Sequence, residues 1–341
     1  MCARVSGFKG NLEKMKYGEI RGVEKRVSRL VQGTIMLWEK NREEGFTFLD
    51  RLAQLGCTAF DTAHSYNSGE SDSVLGRWME LRGNRENVVI IGKSAHPDGN
   101  RKRVTAADID EDIRESLERL RTDYMDLHLL HRDDPSVPVG PIVEELNAQR
   151  EAGRIRAFGG SNWQPDRIQE ANDYAEAHGL VPFVASSPNY SLAVQAEEPW
   201  EDCISIGGEE NAEKRVWYQE SRMPVLAWST LGRGFFRGNL TKENFNEMRD
   251  DLEECCVRAF CTAENFQRLE RVQALARARN HSCAQIALAY LFHQDLNLFA
   301  MVGCTRPETF QECIGAFEIR LSDSEIEWLD LRRQDAPVGL T

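Results

Sequence analysis

The sequence predicts an α/β fold, a single (β/α)8 TIM barrel with an N-terminal β-hairpin plug and long loops after strands 6 and 7. Three observations predict it. Short β-branched or aliphatic runs alternate with longer stretches of helical periodicity, the signature of repeated βα units. Eight such runs occur. No Pro-, Gly- or Ser-rich linker divides the chain, which favours one closed barrel over a doubly wound sheet with a second domain. At 341 residues the chain is within the range of barrels that carry insertions.

The predicted strands are Leu30–Leu37, Ala59–Thr62, Val88–Lys93, Tyr124–Leu130, Ile155–Gly160, Phe183–Ser187, Val225–Ser229 and Leu298–Val302. Between them lie amphipathic stretches such as Ala107–Leu120, Val143–Ala152, Arg167–His178, Asn265–Arg279 and Cys283–Gln294. Thr105 in T-A-A-D and Ser322 in S-D-S-E supply side-chain oxygens for the first free amides of two helices. The polar segment Lys16 to Arg29 reads as a hairpin that would plug the N-terminal face of the strands. Two connections, Leu192–Met223 and Leu231–Asn265, are long, follow strands and so belong to the face where barrels carry their sites. The expected organisation is an arm and hairpin at 1–29, the barrel at 30–331 and a tail at 332–341.

Composition bounds the function. Hydrophobic residues make up 41% and charged residues 28%, which excludes a disordered chain. With 42 basic and 55 acidic residues the net charge is −13, so no global field attracts nucleic acid or an anionic membrane. No apolar run approaches membrane-spanning length, and the charged first residues lack the apolar block of a signal peptide, so a cytoplasmic location is expected. The nine cysteines are scattered without a C-x-x-C pair and read as free thiols; Cys255-Cys256 reads as helix packing.

Several motifs fail on geometry. Gly232, Gly234 and Gly238 follow a strand, but the third glycine is one place late for a dinucleotide fingerprint. Gly159-Gly160-Ser161-Asn162-Trp163 begins like a nucleophile elbow, yet Trp163 stands where the tight turn needs glycine. His128 and His131 lie three apart on a strand, so they leave on opposite faces and cannot share a metal there. A zinc set from His64, His131, Asp61 and Asp133 lacks an H-x-H at the first strand end, and no metal is expected.

The informative residues close strands two, three and four: Phe60-Asp61-Thr62-Ala63-His64-Ser65-Tyr66, Ile91-Gly92-Lys93-Ser94 and Leu129-Leu130-His131. On a barrel these ends share one face, and ionisable groups ending apolar strands need partners, which makes Asp61 and Lys93 an expected pair. In this order and at these strand ends, D-T-A-x-x-Y, G-K-S, L-L-H and G-G-S-N resemble the aldo-keto reductase family, over about Leu30 to Leu331.

The resemblance implies reduction of an aldehyde or ketone by a nicotinamide cofactor bound without a Rossmann domain. It implies Asp61, Tyr66, Lys93 and His131 as catalytic residues, with Tyr66 as proton donor, its phenol pKa lowered by the Lys93 ammonium that Asp61 holds charged. Ser161, Asn162 and Ser187 would hold the carboxamide, Trp228 would stack on the nicotinamide, and Gly33, Thr34, Ile35 and Asp61 would line the cofactor from strands one and two. Ser229, Leu231 and Gly232 would meet the pyrophosphate, and Arg306, Thr309, Glu312 and Cys313 the adenosine end. Arg306 as a forked donor for a 2′-phosphate makes NADPH the preferred cofactor, with NADH as the alternative. Ser187 replaces a common Gln, Cys313 a common Asn, and Gly303 and Thr309 stand where some members carry basic residues, which loosens the expected grip. Trp38, Tyr66, His131 and Trp163 are the expected substrate wall, with Trp200 and Trp217 on the following loop, and a sugar-like carbonyl compound is the expected small-molecule partner. The competing expectation is a nicotinamide-binding regulatory subunit resembling channel β-subunits; the intact catalytic positions argue against it.

Overall fold

In the computed structural model, which describes residues 15–337, β1 (Tyr17–Ile20) and β2 (Val23–Ser28) form an antiparallel hairpin. Cys2, the first fourteen residues and the end of the expected tail lie outside the described residues. Eight strands follow: β3 (Leu30–Gly33), β4 (Ala59–Asp61), β5 (Val89–Ser94), β6 (Met125–Leu130), β7 (Ile155–Ser161), β8 (Ser186–Ser187), β9 (Val225–Ala227) and β10 (Leu298–Val302). They pair in parallel in chain order, and β10 closes onto β3 to complete the barrel.

The ring has two cores because side chains alternate across each strand. Val31, Ala59, Val89, Ile91, Leu127, Leu129, Ala157, Ala185, Leu226, Phe299 and Met301 point inward and fill the lumen. Phe60, Ile90, Leu130, Phe158 and their counterparts point outward, beneath helices such as Arg42–Gln54, Ala106–Leu120 and Cys283–Phe292. The hairpin completes the inner core: Ile20, Val23 and Val27 join the lumen cluster. Lys25 fixes it to the N-terminal rim, where its Nζ donates to Val88 O at 2.9 Å and Arg85 O at 3.1 Å and pairs with buried Asp126 at 2.9 Å.

Some boundaries differ from the sequence reading for local reasons. The first barrel strand ends at Gly33 rather than Leu37, because the chain turns there and Leu37 N folds back onto Thr34 O at 2.8 Å. The seventh ends at Ala227, since Ser229 adopts φ 52°, which no extended strand allows. The expected helix at Val143 starts earlier, at Val139 after Pro138, and both predicted caps, Thr105 and Ser322, form capping boxes. All eight described cysteines are free thiols.

His128 and His131 do leave on opposite faces: His128 is buried outward, with its Nε2 2.8 Å from Ser94 Oγ. Burial and the Lys93 charge hold its imidazole down at about 3. A folded value below the ordinary 6.5 means that the unfolded chain binds the extra proton. The stabilisation is therefore complete above pH 6.5 and is lost as the pH falls from 6.5 towards about 3. Urea titrations of wild type against His128→Asn across that window should show the variant losing less stability on acidification, by up to ~1.4 kcal/mol per pH unit.

Candidate active site

Continuing each inward row by one step gives the mouth of the barrel. Two residues beyond the lumen cluster stand Gly33, Asp61, Lys93, His131, Ser187, Trp228 and Gly303, with Ser161 two steps beyond Ala157 past the side-chain-free Gly159, so the alternation that fills the lumen with aliphatics ends in a polar rung.

Lys93 and Asp61 are 4% and 5% exposed. The Lys93 ammonium donates to Asp61 Oδ1 in a short contact, to Thr62 O at 3.1 Å and to the Tyr66 hydroxyl at 3.2 Å, while Tyr66 OH stands 3.5 Å from Asp61 Oδ2. Burial works against the ammonium, yet Asp61 and Tyr66 outweigh it and hold Lys93 above the ordinary lysine value. The expected lowering of Tyr66 is not the net result. Burial raises the phenol above its usual 10, with Lys93 opposing and Asp61 reinforcing the rise. The phenol thus keeps its proton at neutral pH.

The turn that carries Tyr66 is held from outside the strand. Asn67 and Ser68 adopt φ 52° and 54°, and Asn67 Nδ2 donates to Ile35 O at 2.6 Å and Leu37 O at 2.9 Å. Asparagine tolerates this left-handed conformation better than most residues, and its amide ties the turn to the β3 loop.

His131 lies edge to face with Tyr66, ring centroids 5.8 Å apart. Burial, the Lys93 charge and the neighbouring Arg132 keep its imidazole well below 6.5 and neutral. A second histidine, His96, meets it at 4.8 Å. Alternation would turn His96 outward; Ala95 at φ 61°, with its N–H on Asp112 Oδ2 at 2.9 Å, reverses the chain there. That is why sequence reasoning missed it. Trp200, from the loop after β8, approaches Trp228 with centroids 6.2 Å apart, and the Arg233 guanidinium lies 4.8 Å over the Trp200 ring.

The residues expected to hold the cofactor divide into three groups. Ser161, Asn162 and Ser187 come together: Ser161 Oγ donates to Ser187 O at 3.0 Å, Asn162 Nδ2 to His131 O at 3.2 Å, and Ser187 Oγ to Leu226 O at 2.8 Å. Around the β9, β10 and β3 ends is a rim with spare polar capacity. Buried Thr34 Oγ1 and Trp228 Nε1 have no partner, a Cβ on Gly303 would meet nothing within 4 Å, and Ser229 and Arg233 are left-handed. Leu231 and Gly232 continue that rim, with Ile35 and Trp38 exposed at its edge. Arg306, at the start of the helix Pro307–Ile314, is exposed, Glu312 is exposed and Thr309 is half-buried.

Three expected positions are placed elsewhere. Cys313 is fully buried with its thiol against Cys304, so it faces the outer core and not an adenine. Trp163 is also fully buried, packed on Phe183 at 5.1 Å with its Nε1 on Arg132 O, and it backs the mouth without lining it. Trp217 packs edge-on against Tyr218 in the outer layer. His64 turns away to Glu115 at 2.9 Å, and among the described residues no three His, Cys, Asp or Glu side chains gather as a metal site.

Comparison with known proteins agrees with this architecture. The family model described as "Aldo/keto reductase family" matches residues 29–331. A Saccharomyces cerevisiae protein named as a probable aryl-alcohol dehydrogenase is 26% identical over 308 residues, 85% of this chain and 88% of that protein. Norsolorinic acid reductase B of Dothistroma septosporum is 26% identical over 304 residues, 86% and 72% of the two chains. Among solved structures, the aldo-keto reductase from Klebsiella pneumoniae in complex with NADPH superposes with TM-score 0.69 at 23% identity, covering 93% of this chain and 95% of that one. With that match running through every barrel strand and the polar rung at its mouth, the chain belongs to the aldo/keto reductase family.

Proposed function

We propose that the protein reduces an aldehyde or ketone to the alcohol with a nicotinamide cofactor, NADPH in preference to NADH, and that Tyr66 gives the proton. The observation that carries this reading is the buried Asp61–Lys93–Tyr66 chain beside a neutral His131. The Klebsiella relative bound to NADPH and the relatives named for aryl alcohols and norsolorinic acid support the same reaction class.

The residues fit such a cofactor. Thr34 Oγ1, Trp228 Nε1 and the open face of Gly303 offer unspent polar capacity and space around one arc of the rim, and Arg306 stands at its end. A reduced nicotinamide supplies a hydride to the carbonyl carbon; the protein's part is the oxygen. His131, uncharged, donates one ring N–H hydrogen bond to that oxygen and fixes its direction. Charge building there finds the Tyr66 proton within reach, and the developing phenolate is stabilised by Lys93, 3.2 Å away. Asp61 keeps the ammonium charged and aimed. Ser161, Asn162 and Ser187 orient the carboxamide, chiefly as acceptors, because both Asn162 N–H groups and the Ser187 hydroxyl proton are already engaged.

NADPH oxidation should depend on added carbonyl substrate and should fall by roughly 10²–10⁴-fold in Tyr66→Phe, the usual worth of a positioned acid. Turnover that survives this change removes Tyr66 from the role. Lys93→Met should be slower at pH 7 and should move the alkaline limb of the pH–rate profile upward, since the charge that opposes the Tyr66 rise is gone. Arg306→Ala should reduce the NADPH over NADH preference, read as a ratio of kcat/KM, by roughly 10- to 100-fold; an unchanged ratio assigns the 2′-phosphate to another residue.

A further inference from the structure

Arg132 follows His131 and is 5% exposed. A guanidinium keeps its proton, and a charge taken from water without a partner is costly, so buried arginines ordinarily stand beside carboxylates. The cations around it obey that rule: Arg167 pairs with Asp133 at 3.1 Å, Lys102 with Asp202 at 2.8 Å and Arg103 with Asp112 at 2.6 Å. Arg132 does not. Its Nε donates to Glu201 O at 3.0 Å and its Nη1 to His131 O at 2.8 Å; among the described residues no carboxylate pairs with it and no acceptor stands on Nη2.

The charge is close to the reacting groups. Burial dominates the shifts of Tyr66, His131 and His96, and Arg132 adds its positive charge at all three. The phosphates of a nicotinamide cofactor are not its counter-ion on the reading above, because they would lie by β9 and β10, and β10 is four strands from β6 in either direction around the ring. What remains for the open side of the guanidinium is the other ligand of the mouth.

We propose that Arg132 is a recognition site for an anionic group of the substrate, and that the favoured substrates are carbonyl compounds that also carry a carboxylate. A planar fork suits a carboxylate, with Nη2 still free to donate. This rests on the reductase reading and adds to it a substrate class. Arg132 is a binding residue here; its bonds to Glu201 and His131 also hold the loop after β8 against the strand end.

The test compares 4-carboxybenzaldehyde with 4-methylbenzaldehyde, similar in size and reacting group, in wild type and Arg132→Met with NADPH. Wild type should favour the carboxylate by roughly 10- to 100-fold in kcat/KM, and the variant should bring the ratio close to one, mainly through KM. Absence of a preference in wild type, or one that survives in Arg132→Met, overturns the proposal and leaves Arg132 as a loop anchor. A variant-free check guards against misfolding: benzoate should inhibit wild-type reduction of 4-methylbenzaldehyde at least about tenfold more tightly than benzamide, and equal inhibition overturns the proposal too. If wild type turns over neither aldehyde, the reductase reading fails separately. Quenching of tryptophan fluorescence by benzoate, absent with benzamide, would then uphold the anion site, and no quenching would end it.

Discussion

The arrangement at the mouth depends on one buried ion pair. Lys93 and Asp61 lie on neighbouring strands, nearly sealed from water, and neither charge is tolerable there without the other. The pair has a direction because Lys93 also donates to Thr62 O and to Tyr66, so all three ammonium protons are used. A charge with every donor committed holds the phenol in one place, and it fixes β4 and β5 in register at their C-terminal ends. Replacing the pair with aliphatics would lengthen the lumen core by one layer and leave the mouth with no polar floor.

The reducing chemistry proposed for this chain depends on two groups pushed away from charge. Burial keeps Tyr66 protonated and His131 neutral, and Lys93 moderates the first while it strengthens the second. One cation therefore has opposite effects on the two partners of a carbonyl oxygen: it eases proton release from the phenol and discourages proton uptake by the imidazole. Such a division separates the proton donor from the group that orients the oxygen.

Much of this was legible in the sequence. The eight strands, the hairpin and the helix caps follow from alternation, helical periodicity and S/T-x-x-D/E spacing, which are local signals. The inward positions Asp61, Lys93, His131 and Ser187 follow from continuing each strand's period by one step, and Ser161 from continuing it by two, past Gly159. What escaped depends on backbone turns that no period encodes. His96 reaches His131 only because Ala95 is left-handed. Trp163 and Cys313 failed for the opposite reason: each occupies a position expected to line the site, but its side chain points into the outer core. The direction of the Tyr66 shift was also out of reach, since it needs the amount of burial as well as the identity of the neighbour.

The closure of the ring through β10 and β3 joins segments separated by most of the chain, with Ala300 beside Leu30 and Ala300 N donating to Arg29 O. During synthesis β3 emerges early and must wait for the last strand before its open edge is covered. Until then β3 presents unpaired backbone groups and the lumen aliphatics lie open along a seam, a template for pairing with another nascent chain. Among the described residues the hairpin is finished before any barrel strand, and it can shield the floor of that seam from the start.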